Sequence, residues 1–459
     1  MTFEKPRVGF SVIGVLALSL VSWPMQSAKA ELELAVFEAD VTPALGSALC
    51  YGAVKPMKET LDPLTARGVV LLGSGDPVVL CVVDFVGIAN GSSDQWREAI
   101  AKTVGTTVDR VAVHTIHNHD SPGCDLSAAK LLDKQGLKNV IFDQNSHDEA
   151  INKTVEALKE SLTKKQRITH VGAGKGIVEK FASNRRVIGE NGKIKWWRGS
   201  SCRKEEAISA PEGTIDPELS LVSFWNRNKA IAALTFYASH PQSYYGKGGV
   251  TPDTSGLARR KRQKTTGVTH IHFNGAGGNV AAGKYNRGTV EDRSVLTARM
   301  EEGMKLAWES QKKNKVAAGQ VNWQTAPVSL PWRGMTEEEL NKELLSPETP
   351  LNTRIRAARD LVYFRRWKEG RKIDIGRLRV GTAQALFFPG ELFVEYQLAA
   401  KKMHPDELVT VAAYGDGGPG YIGTQVAYGQ GGYEVGRVSR TNAEAEGVLM
   451  TAIKELLKR

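Results

Sequence analysis

Short apolar, β-branched runs alternate with helical patterns along this chain, and each run stops at a polar or glycine-rich terminus. That alternation restricts the fold more than any other feature, because strands interleaved with helices belong in a layered α/β sheet. The runs Arg67–Leu72 and Val78–Val83 flank Gly73-Ser74-Gly75-Asp76-Pro77, which predicts a hairpin. A helix follows, with Ser92 and Gln95 at capping-box spacing and a stripe of Trp96, Ile100 and Val104. A strand from Arg110 to about Ile116 then completes a crossover unit. Farther on, Lys229–Ala238 ends at Ser239-His240-Pro241, Val268–Phe273 at Asn274-Gly275-Ala276-Gly277-Gly278-Asn279, and Thr382–Phe388 at Pro389-Gly390-Glu391. The expected architecture is α/β, a single large layered domain with a mixed β-sheet and flanking helices. A charged segment at about 335–369, with Thr336 and Glu339 at capping-box spacing and a stripe through Ile355, Leu361, Val362 and Phe364, reads as a helical excursion that could act as a lid or flank. The last helix is expected to start at Thr441, with Glu444 three residues on, and to turn Val448, Ile453 and Leu456 inward.

Residues 1–30 place Lys5 and Arg7 before an apolar stretch from Val8 to about Val21 and close on Ala28-Lys29-Ala30. This is the pattern of a cleaved secretory signal, so the working chain is expected to be residues 31–459, exported to a periplasm or beyond after cleavage near Ala30. The formal charge of +11 allows peripheral contact with an anionic envelope surface. Its densest run, Arg259-Arg260-Lys261-Arg262, has no interleaved aromatics and reads as a solvated helix face, so no nucleic-acid partner is expected. Four cysteines are too few for a disulfide scaffold. Cys81 lies inside an apolar strand, while export would permit one bridge among Cys50, Cys124 and Cys202, with the pair left open. Oligomeric state is likewise open.

Three of nine histidines fall in Val113-His114-Thr115-Ile116-His117-Asn118-His119-Asp120-Ser121-Pro122-Gly123, where a strand runs out into a loop. Open α/β sheets build their sites at such strand ends. In extended backbone His117 and His119 would point to one face. The chain lacks a nucleophile elbow, a zinc-protease helix motif and a P-loop lysine. Gly415-Asp416-Gly417-Gly418-Pro419-Gly420 matches a dinucleotide fingerprint in spacing, but Pro419 and the residues after it do not open a helix. What remains is His117, His119, His240 and Glu391 at strand ends. Two imidazoles and a carboxylate suit Zn2+ with an open position for water, and zinc-bound water ionises near neutral pH and can attack a carbonyl. His114, inside the strand, is expected to face away or to support the site.

The order of short motifs resembles the amino-terminal catalytic domain of the neutral, non-lysosomal ceramidases, zinc amidases that release a fatty acid from ceramide. Ala39-Asp40-Val41-Thr42-Pro43 is similar to the family's opening motif. His117-Asn118-His119-Asp120-Ser121-Pro122 resembles a segment whose first histidine binds zinc and whose second lies near substrate. Asn184-Arg185 resembles a pair whose arginine lines the pocket, His240-Pro241 resembles the second zinc histidine, and Pro389-Gly390-Glu391 resembles the source of the carboxylate. Tyr421 and Tyr433 resemble paired tyrosines, one contacting zinc and one facing the amide. The resemblance implies metal ligands His117, His240, Glu391 and Tyr421, with His119, Arg185 and Tyr433 acting on substrate. The family's reactive serine is replaced by Ala281.

The expected function is an exported zinc-dependent hydrolase in which metal-bound water attacks an amide (N-acyl) or related acyl bond of a small-molecule or lipid substrate. If the site acts instead on a different small polar substrate, the loop from Gly275 to Gly283 could cradle an anion in place of the serine. The alternative is a catalytically degenerate metal- or glycan-binding envelope protein.

Overall fold

Strand β1, Glu33–Asp40, pairs along its full length with β2, Thr65–Leu72, and β2 turns back as a hairpin into β3, Val78–Val83. Helix α1, Gly91–Val104, then carries the chain over to β4, Val111–Thr115, which runs parallel to β3. Helix α2, Gln144–Thr163, packs on β1, and the short β5, Gln166–Arg167, closes this sheet in the order β4-β3-β2-β1-β5. The computed structural model describes residues 1–9 and 31–458; the expected leader falls, from residue 10 on, outside them.

A second sheet follows in sequence. It consists of β6 (His170–Ile177), β7 (Glu218–Asn226), β8 (Lys229–Tyr237), β9 (Thr269–Asn274) and β10 (Lys312–Lys315) in the order β9-β8-β7-β6-β10. Helix α3, Asp253–Thr266, is the crossover between the parallel strands β8 and β9, and α4, Val290–Ser310, packs beside it. The third sheet is β11 (Val321–Val328), β12 (Ile373–Val380), β13 (Ala383–Phe387) and β14 (Leu408–Ala412) in sequential order. Between β11 and β12 lies the helical excursion, α5 (Glu337–Leu345) and α6 (Leu351–Lys368), and the capping box of Thr336 and Glu339 forms as expected. Helix α7, Val394–Met403, joins β13 to the parallel β14, and α8, Ala445–Leu457, ends the described chain.

The architecture is mixed α/β, with three large sheets among the described residues instead of one, beside several two-stranded pairings. Strand alternation explains their arrangement. In β3, Val78, Leu80 and Val82 enter a central core shared by the three large sheets, while Val79, Cys81 and Val83 face outward into a second cluster that holds Trp96 and Ile100 of α1 and Ala150 and Ile151 of α2. From the second sheet Phe224, Leu234 and Phe273 join that central core, and from the third Leu378, Ala385 and Phe387 do so. The outer faces of the second and third sheets are covered by α3 and α4 and by α7 and α8 respectively. Strands buried on both faces must be apolar at every position, which is the pattern of Val78–Val83.

Several sequence expectations need correction. Ser92 does not cap α1: the N-cap is Asn90 and the Ser92 hydroxyl accepts from the Leu126 amide at 2.9 Å. The final helix begins at Ala445, because Thr441 is engaged in a bridge with Trp332. The run at 259–262 is not a solvated face. Arg259 and Arg262 are buried, and Arg259 donates to both oxygens of buried Asp84 at 2.7 and 2.5 Å. A buried carboxylate requires a partner, and α3 presents one. All four cysteines are free. Among the described residues no helix is long and apolar enough to cross a membrane.

Candidate metal centre

Each sheet contributes one parallel pair, β3–β4, β8–β9 and β13–β14, and the carboxyl ends of the three pairs meet. Backbone bonds tie the ends together: the Thr115 amide donates to the Tyr414 carbonyl at 2.9 Å, and Ala413 donates to Asn274 at 2.9 Å. His114 reinforces the same seam, its Nδ1 lying 2.7 Å from the Ala413 carbonyl and its ring edge-on to Phe273 and Phe387. Burial holds its imidazole down at about 4.

His117 follows β4 but is not extended. Its φ is +64°, a left-handed conformation that a non-glycine residue adopts only under constraint. The constraint is visible, since its amide donates to the Phe85 carbonyl at 3.0 Å and its ring stacks on Tyr414 at 4.4 Å. The two-residue spacing of His117 and His119 therefore works through a turn and not through strand alternation. His240 follows β8, and a backbone bridge to Ala281 fixes it. Glu391 follows β13 in a short parallel pairing with Tyr421.

These side chains converge. The nitrogens of His117, His119 and His240 all lie within 4.8 Å of one another. Glu391 Oε2 is 3.2 Å from His117 Nε2 and 3.1 Å from His240 Nε2, and the Tyr421 hydroxyl is 3.1 Å from His240 Nε2. His119 Nε2 stands 3.4 Å from His117 Nε2, as near to the centre as the residues read as ligands, while its Nδ1 faces the Cys50 thiol at 3.4 Å.

Tautomers follow from the opposite ring nitrogens. His117 Nδ1 lies 2.5 Å from the Val86 carbonyl and His240 Nδ1 lies 2.6 Å from that of Gly277, so both must be N–H donors there. Their Nε2 atoms then carry lone pairs, and both face a carboxylate oxygen. Three electron-rich atoms in contact need a positive charge between them. Burial disfavours a proton on His240, whose imidazole it lowers to about 4. A metal cation fits, and ring N–H groups anchored on carbonyls are the usual support for imidazole ligands.

Arg185 stands behind this group. Its Nη1 donates to the Tyr421 hydroxyl at 3.0 Å, and its guanidinium lies 4.9 Å from the Trp197 ring and 5.6 Å from that of Tyr433. Fully buried Glu434 balances it: Oε1 is 3.3 Å from Arg185 Nε and Oε2 is 3.2 Å from Arg186 Nη1. Tyr433 is half exposed, with its ring edge-on to Tyr421 at 5.8 Å, and so forms the mouth of the site. In front of the histidines lies a cavity of about 360 Å³ whose far wall comes from α6 through Ile355, Arg356 and Arg359.

The structure thus brings all seven sequence-read residues, His117, His119, Arg185, His240, Glu391, Tyr421 and Tyr433, to one place. The sequence reading missed Tyr414, Glu434, Trp197 and Cys50, which lie beside them without a motif of their own. Two glycine loops run beside the site. The amides of Gly275, Gly278 and Val280 donate to backbone carbonyls, so those three are not free to hold an anion. Gly415 and Gly417 are likewise engaged, and the Gly415–Gly420 segment leads into the Tyr421–Ile422 strand and not a helix, as Pro419 led the sequence reading to expect.

No family model and no curated protein matches the sequence. Solved structures do match the fold. One described as a ceramidase complexed with C2 aligns at a TM-score of 0.69 and 14% identity, over 93% of this chain and 75% of its own. A neutral ceramidase from Pseudomonas aeruginosa aligns at 0.66 and 16%, over 93% and 74%. The fold of this chain is therefore a ceramidase-like one.

Proposed function

We propose that this chain is an exported zinc-dependent hydrolase acting on an amide (N-acyl) or related acyl bond. The observation that carries the reading is the contact of His117 Nε2, His240 Nε2 and Glu391 Oε2 at 3.1–3.2 Å with both Nδ1 atoms committed to carbonyls. The ceramidase names of the fold neighbours support an amide substrate. Export rests on the pattern of residues 1–30.

His117, His240, Glu391 and Tyr421 would hold the ion. Zinc, when bound, supplies Lewis acidity that polarises a carbonyl and brings the pKa of water near 7. The chain's own groups do the rest. Overall the acyl C–N bond breaks, the oxygen of water joins the acyl carbon, and the amine leaves with a proton. His119 is positioned to carry that proton: burial holds its imidazole well below the ordinary value and therefore neutral, so a ring nitrogen can accept. Arg185 keeps its charge against Glu434 and orients the Tyr421 hydroxyl, giving a positive donor where negative charge develops on oxygen. Tyr433 meets the substrate at the mouth. The position of the family's serine is taken by Ala281, which is fully buried and whose carbonyl accepts from Ser183 at 3.0 Å, so the reaction written here uses water and no serine.

Turnover of short N-acyl compounds by the zinc-loaded protein, beside Glu391→Ala, tests the reading. Loss of turnover in the variant is expected, and unchanged turnover would sink the assignment. Metal binding with no turnover across a panel of amides and esters would favour the degenerate binding protein instead, the reading that Ala281 raises.

A further inference from the structure

Four arginines, Arg356, Arg359, Arg437 and Arg440, line the cavity in front of the histidines, against one carboxylate, Glu391. Two are neutralised from behind. Arg437 pairs with Glu343, and Arg440 donates to Asp360 at 2.7 Å and to the Gly418 carbonyl at 3.1 Å. The other two, one turn apart on α6, have no hydrogen-bonded carboxylate partner. Arg359 lies over the Tyr51 ring at 3.4 Å, and its side chain is only 17% exposed. Its nearest carboxylate, Asp125, is 4.0 Å away and already accepts from Asn90 at 2.7 Å and from the Ala128 amide at 3.1 Å. Its Nε is buried without a hydrogen-bond partner. Arg356 has neither an ion pair nor a hydrogen bond among the described residues, although it too lines the cavity.

A largely buried guanidinium whose one counter-charge stands at 4.0 Å, shared with other donors and beyond hydrogen-bond reach, is stabilised by a ligand that hydrogen-bonds it. Arginine forks match carboxylates with two parallel hydrogen bonds. The walls between the arginines and the histidines are Tyr51, Ile355, Tyr421 and Tyr433, which exclude water and strengthen such a pair. The volume of about 360 Å³ is near the lower end of ligand cavities, which run from roughly 300 to 1,000 Å³, and suits a compact molecule.

Resting on the hydrolase reading above, we propose that Arg356 and Arg359 bind a carboxylate of the substrate, so that the substrate class is a compact acyl amide bearing a free carboxylate, of the N-acyl amino acid kind. Helix α6 then serves as a specificity wall contributed by the helical excursion. Neither arginine touches the reacting atoms.

The test compares N-butanoylglycine with N-butanoyl-ethylamine, which differ in the carboxylate, on the zinc-loaded protein. The expected kcat/KM is at least tenfold higher for the charged compound. In Arg356→Met and Arg359→Met the loss should appear in KM and fall at least tenfold more heavily on the charged compound, with partial rescue in Arg359→Lys. A second readout needs no turnover: calorimetric titration of N-butanoylglycine into chelator-treated protein, where both variants should weaken binding about tenfold or more. Equal turnover of the two compounds, or binding insensitive to both substitutions, would overturn the proposal and leave the hydrolase reading standing. Carboxylate binding lost in the variants, with neither compound turned over, would retain the arginine site and count against the hydrolase reading.

Discussion

Two imidazoles and a carboxylate that meet through lone pairs require a cation between them, and that requirement assigns separate tasks to neighbouring residues. His117 and His240 have their outer nitrogens committed to the carbonyls of Val86 and Gly277. His119 has no such anchor, facing only a thiol that burial pushes up to about 12. His119→Ala is therefore expected to keep bound metal while lowering kcat/KM by about 10²–10⁴-fold, the usual range for a lost general acid or base. Metal content together with kinetics checks this, and loss of the ion would make His119 a ligand. The identities of His117, His240 and Glu391 were legible because each stands just past an apolar strand. The left-handed turn at His117 was not, because its cause is packing on Tyr414 and a bond to Phe85, both remote in sequence.

At the scale of elements, the strand-end loops are held in contact by glycine. A Cβ on Gly278 would fall 2.3 Å from the Glu391 carbonyl oxygen, so the two loops approach as closely as backbone allows. Gly278→Ala should push Glu391 away and weaken metal affinity about 10–100-fold, the scale seen when ligand support is removed. A competition titration against a chromogenic chelator would measure it, and unchanged affinity would show that the loop relaxes. Most strands and the crossover at α1 could be read from periodicity, as could the cap at Thr336. The failures share a physical cause. Ser92 and Thr441 have capping chemistry, but tertiary partners engage them instead, and the basic run of α3 is buried because Asp84 needs it.

On the scale of the whole molecule, three large sheets close on one central core; neutral His114 lies inside it, and His270 and His272 are buried on the opposite face of β9. Burial lowers His114 to about 4 and both His270 and His272 to about 3, against an unfolded value near 6.5. Between those values the unfolded chain binds protons that the native one refuses. Stability is thus full above about pH 6.5 and falls as pH drops toward 4 and then 3, by roughly 1.4 kcal/mol per pH unit for each group. Urea midpoints of chelator-treated protein should follow that slope, and His272→Leu should flatten it; a midpoint constant from pH 6.5 to 4 would refute the account of these histidines. Division into three sheets could not be read from strand runs, since apolar periodicity is the same whichever sheet a strand joins. Convergence of three parallel pairs on one metal centre is the central claim, and elemental analysis of protein purified without chelator, beside His117→Ala and His240→Ala, tests it most directly. About one zinc per chain, lost in both variants, is the expected result; no metal in the wild type, or metal retained in both variants, would contradict it.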